Sequence, residues 1–202
     1  MNLPWPAALL TFVIATSLTW VEFRTSRYPN TGFLLRRSRG LWSYCVVYGV
    51  IALGGFLLSN ALISTSKLKI EGLGLESPYV RAVVLGLAAK AIMQLNIFTV
   101  TSGSTSFPIG FQTVVQLFEP YLLRVIVLDE FNSVRQFVDP FAARYADLDA
   151  VKRLIKDNIP ASLSAQEQAA FENEIDKDVK TRVAMERFLR FLGKKSFERV
   201  FG

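Results

Sequence analysis

The sequence predicts an all-α fold: a helical integral membrane protein with about three transmembrane helices, followed by a small soluble helical domain. Three observations lead there. Residues 40–66 run without a charged side chain, and so do residues 1–21. A helix crosses the hydrocarbon core with about 20 apolar residues, so either tract is long enough. Charge is also unevenly placed: residues 129–202 hold 13 basic and 13 acidic side chains, so the net charge of +6 belongs wholly to residues 1–128. A transmembrane region, 1–128, and a soluble helical domain, 129–202, follow from that division.

The first span is expected over 5–23. Pro4 and Pro6 stand near its start, where a missing N–H is harmless, and Trp5 and Trp20 bracket it as an interfacial belt would. No basic segment precedes the apolar run, which argues against a cleaved signal. Next come Arg24, Arg27, Arg36, Arg37 and Arg39 with no acid among them. Positive loops beside spans stay on the cytoplasmic side, and the same arginines suit anionic lipid headgroups. Residues 28–32 (Tyr-Pro-Asn-Thr-Gly) form a turn.

The second span is expected over 41–64, with Gly55 and Ser59 as a small-xxx-small pair for close helix approach. Ser77-Pro78 opens a third span over 79–101, with proline at the first helical position. Lys90 falls near its middle, with Gln94 and Asn96 close by. A central lysine costs roughly 2.5–3.5 kcal/mol on insertion scales, so this face should be hidden from lipid. A hydroxyl-rich break follows, including Thr101 and Ser104. A kinked amphipathic or re-entrant helix is expected over 109–128, with Gln112, Gln116 and Glu119 forming one polar stripe and Pro120 kinking it. The alternative is a transmembrane hairpin of 81–101 and 109–129, placing Lys90 beside Glu119 and Arg81 near Asp129. Three spans are preferred, because the hairpin would put the charged C-terminal residues outside.

Beyond Pro120, Val127, Phe131, Val134 and Val138 mark the seam of a water-soluble helix, stopped by Asp139-Pro140. A second soluble helix is expected over 148–158, with Asp147 and Asp149 explained by capping. Ser164 and Glu167 have capping-box spacing. The helix they open carries Phe171, Ile175, Val179 and Val183, then Phe188, Leu189 and Leu192. Gly193 ends it, leaving a basic-aromatic tail (Lys194, Lys195, Phe197, Arg199, Phe201).

Chemistry is limited by what is missing. The chain has no histidine and one cysteine, Cys45. That removes the usual general base and the commonest metal ligand. No nucleophile elbow, phosphate-binding glycine fingerprint or Cys/His metal spacing occurs. No enzyme, cofactor or metal is expected, and the basic excess in one loop speaks against binding of a nucleic-acid duplex.

Polar side chains at membrane depth persist where they meet protein or a water-filled cavity. The expectation is therefore a homo-oligomeric channel or pore-forming effector in the inner membrane, multi-pass, with its C-terminal domain in the cytoplasm controlling opening. Its pore lining would draw on Lys90, Gln94, Asn96, Thr101, Ser104, Gln112, Gln116 and Glu119. The alternative is a membrane-anchored scaffold or adaptor that docks a partner protein through its C-terminal helices. The order of parts, a few spans and then a small soluble domain, resembles bacterial membrane effectors. These include the membrane-permeabilising proteins that accompany nucleotide-signalling defence systems. The resemblance is one of layout alone. It implies a site for a small anionic ligand in the C-terminal domain, with Lys152, Arg153 and Lys156 as candidates; a solvated helix face explains the same three.

Overall fold

The computed structural model describes residues 4–66, 77–89, 91, 96–102 and 105–202. Every long element in it is helical, and two helices are long and apolar enough to cross a membrane. The chain divides into two compact units: residues 1–23 with 39–126, and residues 24–38 with 127–202.

In the first unit, α1 (Trp5–Glu22) and α2 (Arg39–Ser66) pack with α3 (Pro78–Leu87). The burial pattern on α1 inverts that of a helix in water. Ala7, Ala8, Thr11, Ala15, Thr16 and Thr19 are buried, while Trp5, Leu9, Val13, Leu18 and Val21 are exposed. Small residues inside and large apolar residues outside suit a lipid solvent, where close backbone approach drives helix association. Two of the three buried hydroxyls are satisfied locally, Thr11 donating to the Ala7 carbonyl at 3.0 Å and Thr19 to that of Ala15 at 2.8 Å, whereas the Thr16 hydroxyl has no hydrogen-bond partner among the described residues. On α2, Tyr44, Cys45, Tyr48, Ala52 and Phe56 face inward, and Trp42, Val46, Val50, Leu58 and Leu62 face out.

Close approach of α1 and α2 centres on Gly49, where a Cβ would strike the Thr16 hydroxyl and the Phe12 ring. This differs from the expected pairing at Gly55 and Ser59. The Ser59 hydroxyl donates within its own helix, to the Phe56 carbonyl at 2.8 Å.

The third span is the main departure from expectation. The helix proposed over 79–101 ends at Leu87, and ten residues reach only about 15 Å. Residues 96–102 (β1) instead pair antiparallel with Thr105–Gly110 (β2), from Ser102↔Thr105 to Asn96↔Gly110. Isoleucine, valine, phenylalanine and threonine dominate these strands, and their branched and aromatic side chains favour extended backbone.

The helix expected to kink at Pro120 is one element, α4 (Phe111–Ala142). Pro120 is exposed, so the Gln116 carbonyl it leaves unbonded lies on the unpacked side. Asp139-Pro140 does not stop the helix either; the Ala143 amide still reaches the Asp139 carbonyl at 3.1 Å.

The second unit gathers the C-terminal half of α4 with α5 (Leu148–Asp157), α6 (Ala165–Lys177) and α7 (Thr181–Phe201). The helix starts match expectation. Asp147 accepts from the Asp149 and Ala150 amides, and Ser164 and Glu167 form a reciprocal capping box. The core is built from Val134, Val138, Ile155, Ile175, Phe188 and Leu189, among others. Val127 and Phe131 of the expected seam are exposed. The continuous helix expected through Val179 is broken at residues 178–180, leaving Val179 80% exposed. As expected, the helix that holds Phe188, Leu189 and Leu192 ends at Gly193, whose φ 80 and ψ 178 are non-helical, and a second helical segment of α7 starts beyond it. The tail beyond it is helical and buries Phe197 and Phe201, which stack edge-on against Phe141 and Phe188 at 5.2 and 5.7 Å.

Residues 24–38, the arginine-rich stretch between α1 and α2, belong to this same unit. Phe33 meets Phe137 edge-on at 5.6 Å, Lys194 lies over the Phe33 ring, and Ser38 donates to Asp129 at 2.6 Å. The Asn30 amide nitrogen donates to the Arg190 and Phe191 carbonyls, each at 2.8 Å.

Candidate functional site

Two places combine polar chemistry with enclosure. The first is a cleft of about 550 Å³ between α6 and α7 of the C-terminal unit, lined by Glu167, Ala170, Phe171, Glu174, Val183, Glu186, Arg187, Arg190 and Phe191. Phe171 and Phe191 stack at 4.1 Å and 11°, giving it a flat apolar wall. Its arginines are already engaged. Arg187 grips the buried Asp178 through Nε and Nη2 at 3.0 and 2.9 Å, and reaches Glu174 through Nη1 at 3.0 Å. Arg190 holds the buried Glu130 at 3.2 and 3.1 Å. Two-pronged guanidinium–carboxylate pairs are strong and directional, so they position the cleft walls rather than leaving cations open for a ligand.

Glu186 differs. Its side chain is buried, and its ion pair with Arg182 is long, 3.4 Å. Burial raises its pKa above the ordinary carboxylate range, and the nearby Arg190, Arg182 and Arg135 offset this only in part. A carboxyl that gains a proton readily, at the edge of an apolar cleft, can donate or accept a hydrogen bond to whatever enters. Glu174 is pulled the opposite way by Lys177 and Arg187 and stays ionised.

The second place lies in the first unit. The Tyr44 hydroxyl donates to Glu119 Oε1 at 3.1 Å and sits 3.0 Å from the Tyr48 hydroxyl. Phe23 packs on the Tyr44 ring at 5.3 Å. This ties the carboxylate on α4 to two hydroxyls on α2 inside an apolar bundle.

Of the residues expected to line a pore, Lys90, Gln94 and Ser104 lie outside the described residues. Asn96 and Thr101 fall on β1, and Gln112 falls on the first turn of α4. Gln116 is exposed and Glu119 half-buried. Tyr44 and Tyr48 were missed by the sequence reading; their four-residue spacing within an otherwise apolar tract was the available signal.

The three candidate ligand cations are committed elsewhere. Lys152 donates to the Asp176 carbonyl at 2.9 Å, Lys156 pairs with the Asp176 carboxylate at 2.8 Å, and Arg153 turns back to the Asp149 carbonyl at 3.4 Å. The first two fasten α5 to α6. Of the loop arginines, Arg27, Arg36, Arg37 and Arg39 are exposed and Arg24 half-buried. No cluster of three or more His, Cys, Asp or Glu able to hold a metal occurs among the described residues.

No family model matches this chain, and neither the curated proteins nor the solved structures provide a match. A functional reading therefore rests on the geometry alone.

Proposed function

We propose that the chain forms a homo-oligomeric membrane channel or pore-forming effector whose opening is controlled by its C-terminal helical domain. The observation that carries this reading is the single helix α4. One half bears Glu119, bonded to Tyr44 of α2, and the other sets Val134 and Val138 in the C-terminal core. In this reading, repacking around Val134 and Val138 acts on the same helix that carries Gln116 and Glu119. Gating needs a shared element of this kind, biased from either end.

Orientation follows from the loop. The grouping of residues 24–38 with the C-terminal unit supports a reading in which loop and domain lie on one side of the membrane, and the loop's arginines favour the cytoplasmic side. After α2 the chain then returns once before Val127. Residues 111–126 of α4 cover about 24 Å, near the core thickness of about 30 Å. One copy has too few spans to enclose a conduit, whereas a ring of copies shares its polar faces. The wall in this reading comes from α4 together with β1 and β2, with Gln116 and Glu119 turned to the axis.

The test is ion flux from liposomes holding the purified protein, together with its oligomeric state in mild detergent. A closed ring of at least about four copies, with flux altered by Gln116→Leu, is the expected result. A monomer that never conducts overturns it. The α6–α7 cleft favours a second reading, a membrane-anchored scaffold that receives a partner's apolar side chain between Phe191 and Val183; such a protein gives no flux in any state.

A further inference from the structure

We infer that Arg81 and the uncapped first turn of α3 form a binding site for the phosphate of a phospholipid headgroup, at the membrane face where α1 begins. The inference rests on the reading that α1 and α2 cross a bilayer.

Arg81 is only 8% exposed, and its Nε and Nη1 atoms are buried with no hydrogen-bond partner. A guanidinium remains protonated under all ordinary conditions, so this is a buried positive charge that the described residues do not neutralise. Leaving such a charge alone costs several kcal/mol. An ionisable side chain of this kind inside a membrane region marks a functional site by default.

The surrounding turn points to the sign and shape of the missing group. The first turn of α3 holds no acidic residue, and Ser77 makes no side-chain cap. Pro78 has no N–H to offer, while the Tyr79 and Val80 amides have no intrahelical acceptor at this end. The Arg81 amide is taken by the Ser77 carbonyl at 3.1 Å. Helix side chains lean toward their own N-terminus, which directs the guanidinium to the same end as those amides. The helix dipole and a guanidinium at that end together favour an oxyanion, and a phosphate matches the guanidinium fork.

The depth of the site identifies where that phosphate comes from. Ala82 packs with Ala7, Ala8 and Phe56, and Gly86 lies against Ile14 and Thr11. Thus α3 runs alongside α1 in the same direction, and Arg81 stands within about one turn of Trp5. Trp5 and Tyr79 are both largely exposed, as aromatic residues of an interfacial belt are. Val80, Val83, Val84 and Leu87 of α3 are exposed as well, so the helix presents an apolar flank to lipid beside its anion-seeking end. A phospholipid offers acyl chains and phosphate at those two levels.

The experiment uses the full-length protein extracted from membranes in mild detergent, with bound phospholipid counted by native mass spectrometry. Wild type is expected to retain phospholipid, and Arg81→Gln to lose it about tenfold. Ser77→Asp supplies an N-cap carboxylate from the chain itself, so it should release lipid while preserving the fold, which keeps the test decisive should the arginine variant not fold. Adding phosphatidylglycerol to delipidated wild type should raise its melting temperature, and inorganic phosphate at equal concentration should not. Equal lipid retention in all three proteins overturns the site, and a full response to inorganic phosphate overturns the lipid assignment. Recovery of the chain in the soluble fraction would instead overturn the membrane reading beneath both.

Discussion

The side-chain amide of Asn30 caps the helix that Gly193 interrupts, its nitrogen 2.8 Å from the carbonyls of both Arg190 and Phe191. A residue between the two apolar helices thus completes a helix end some 160 positions later. Asn30→Ala removes both bonds and should cost about 1–2 kcal/mol of C-terminal-unit stability. Asn30→Asp should cost more, because a carboxylate cannot donate and faces two carbonyl oxygens. Chemical denaturation of the full chain checks the order; equal stability of the two variants contradicts it.

Gly193 occupies a backbone region that only glycine adopts easily, with φ 80 and ψ 178. An added Cβ would also lie 3.1 Å from the Asn30 side-chain oxygen. Gly193→Ala should therefore destabilise by about 1–3 kcal/mol, visible as a lower melting temperature. Since Asn30 and Gly193 touch, the double variant should lose less than the sum of the single losses.

Gly49 and Gly54 lie five residues apart on α2 and should respond oppositely to alanine. At Gly49 the new methyl group meets Thr16 and Phe12, whereas nothing lies within 4 Å of a Cβ at Gly54. Gly49→Ala is expected to cost about 1–3 kcal/mol by overpacking, and Gly54→Ala to be neutral or to stabilise by up to about 1 kcal/mol. Thermal unfolding in detergent reads both.

Glu186 gives the C-terminal unit a pH dependence of definite sign. Its pKa is raised in the folded protein by burial, so between its ordinary value and its folded value the folded state holds a proton that the unfolded state has lost. Stability contributed by this group is present below the ordinary value and declines as pH rises through the window above it. Glu186→Gln should flatten that decline and leave the variant the more stable near neutrality. Melting temperatures from about pH 4 to about pH 7 test this; parallel profiles for the two proteins refute it.

Local signals were the legible part of the fold. Ser164 with Glu167, Asp147, and the long apolar runs of α1 and α2 all act through neighbours within a few residues, and each appears where expected. The 79–101 segment misled because its length suits a membrane span, while the threonine, valine, isoleucine and phenylalanine of its last part, 96–102, suit a strand. Pro120 and Pro140 misled in the other direction: a proline on an exposed face can be carried by a helix that packing holds on both sides. The candidate sites were hardest to read. Asn30 and Glu130 gain their roles from partners about 160 and 60 residues away, which no spacing rule links, and Glu186, though at helical spacing from Arg182, owes its shift to burial by the fold.

The membership of residues 24–38 in the C-terminal unit has a consequence in time. During synthesis this stretch leaves the ribosome about 100 residues before the helix that receives Phe33 and about 160 before the one that receives Asn30. The domain therefore cannot close until the apolar hairpin behind it has been made, and its assembly reports that the hairpin is complete. A fragment beginning after residue 126 would lack that piece and leave the Phe137 ring and the end of the Phe191 helix uncovered.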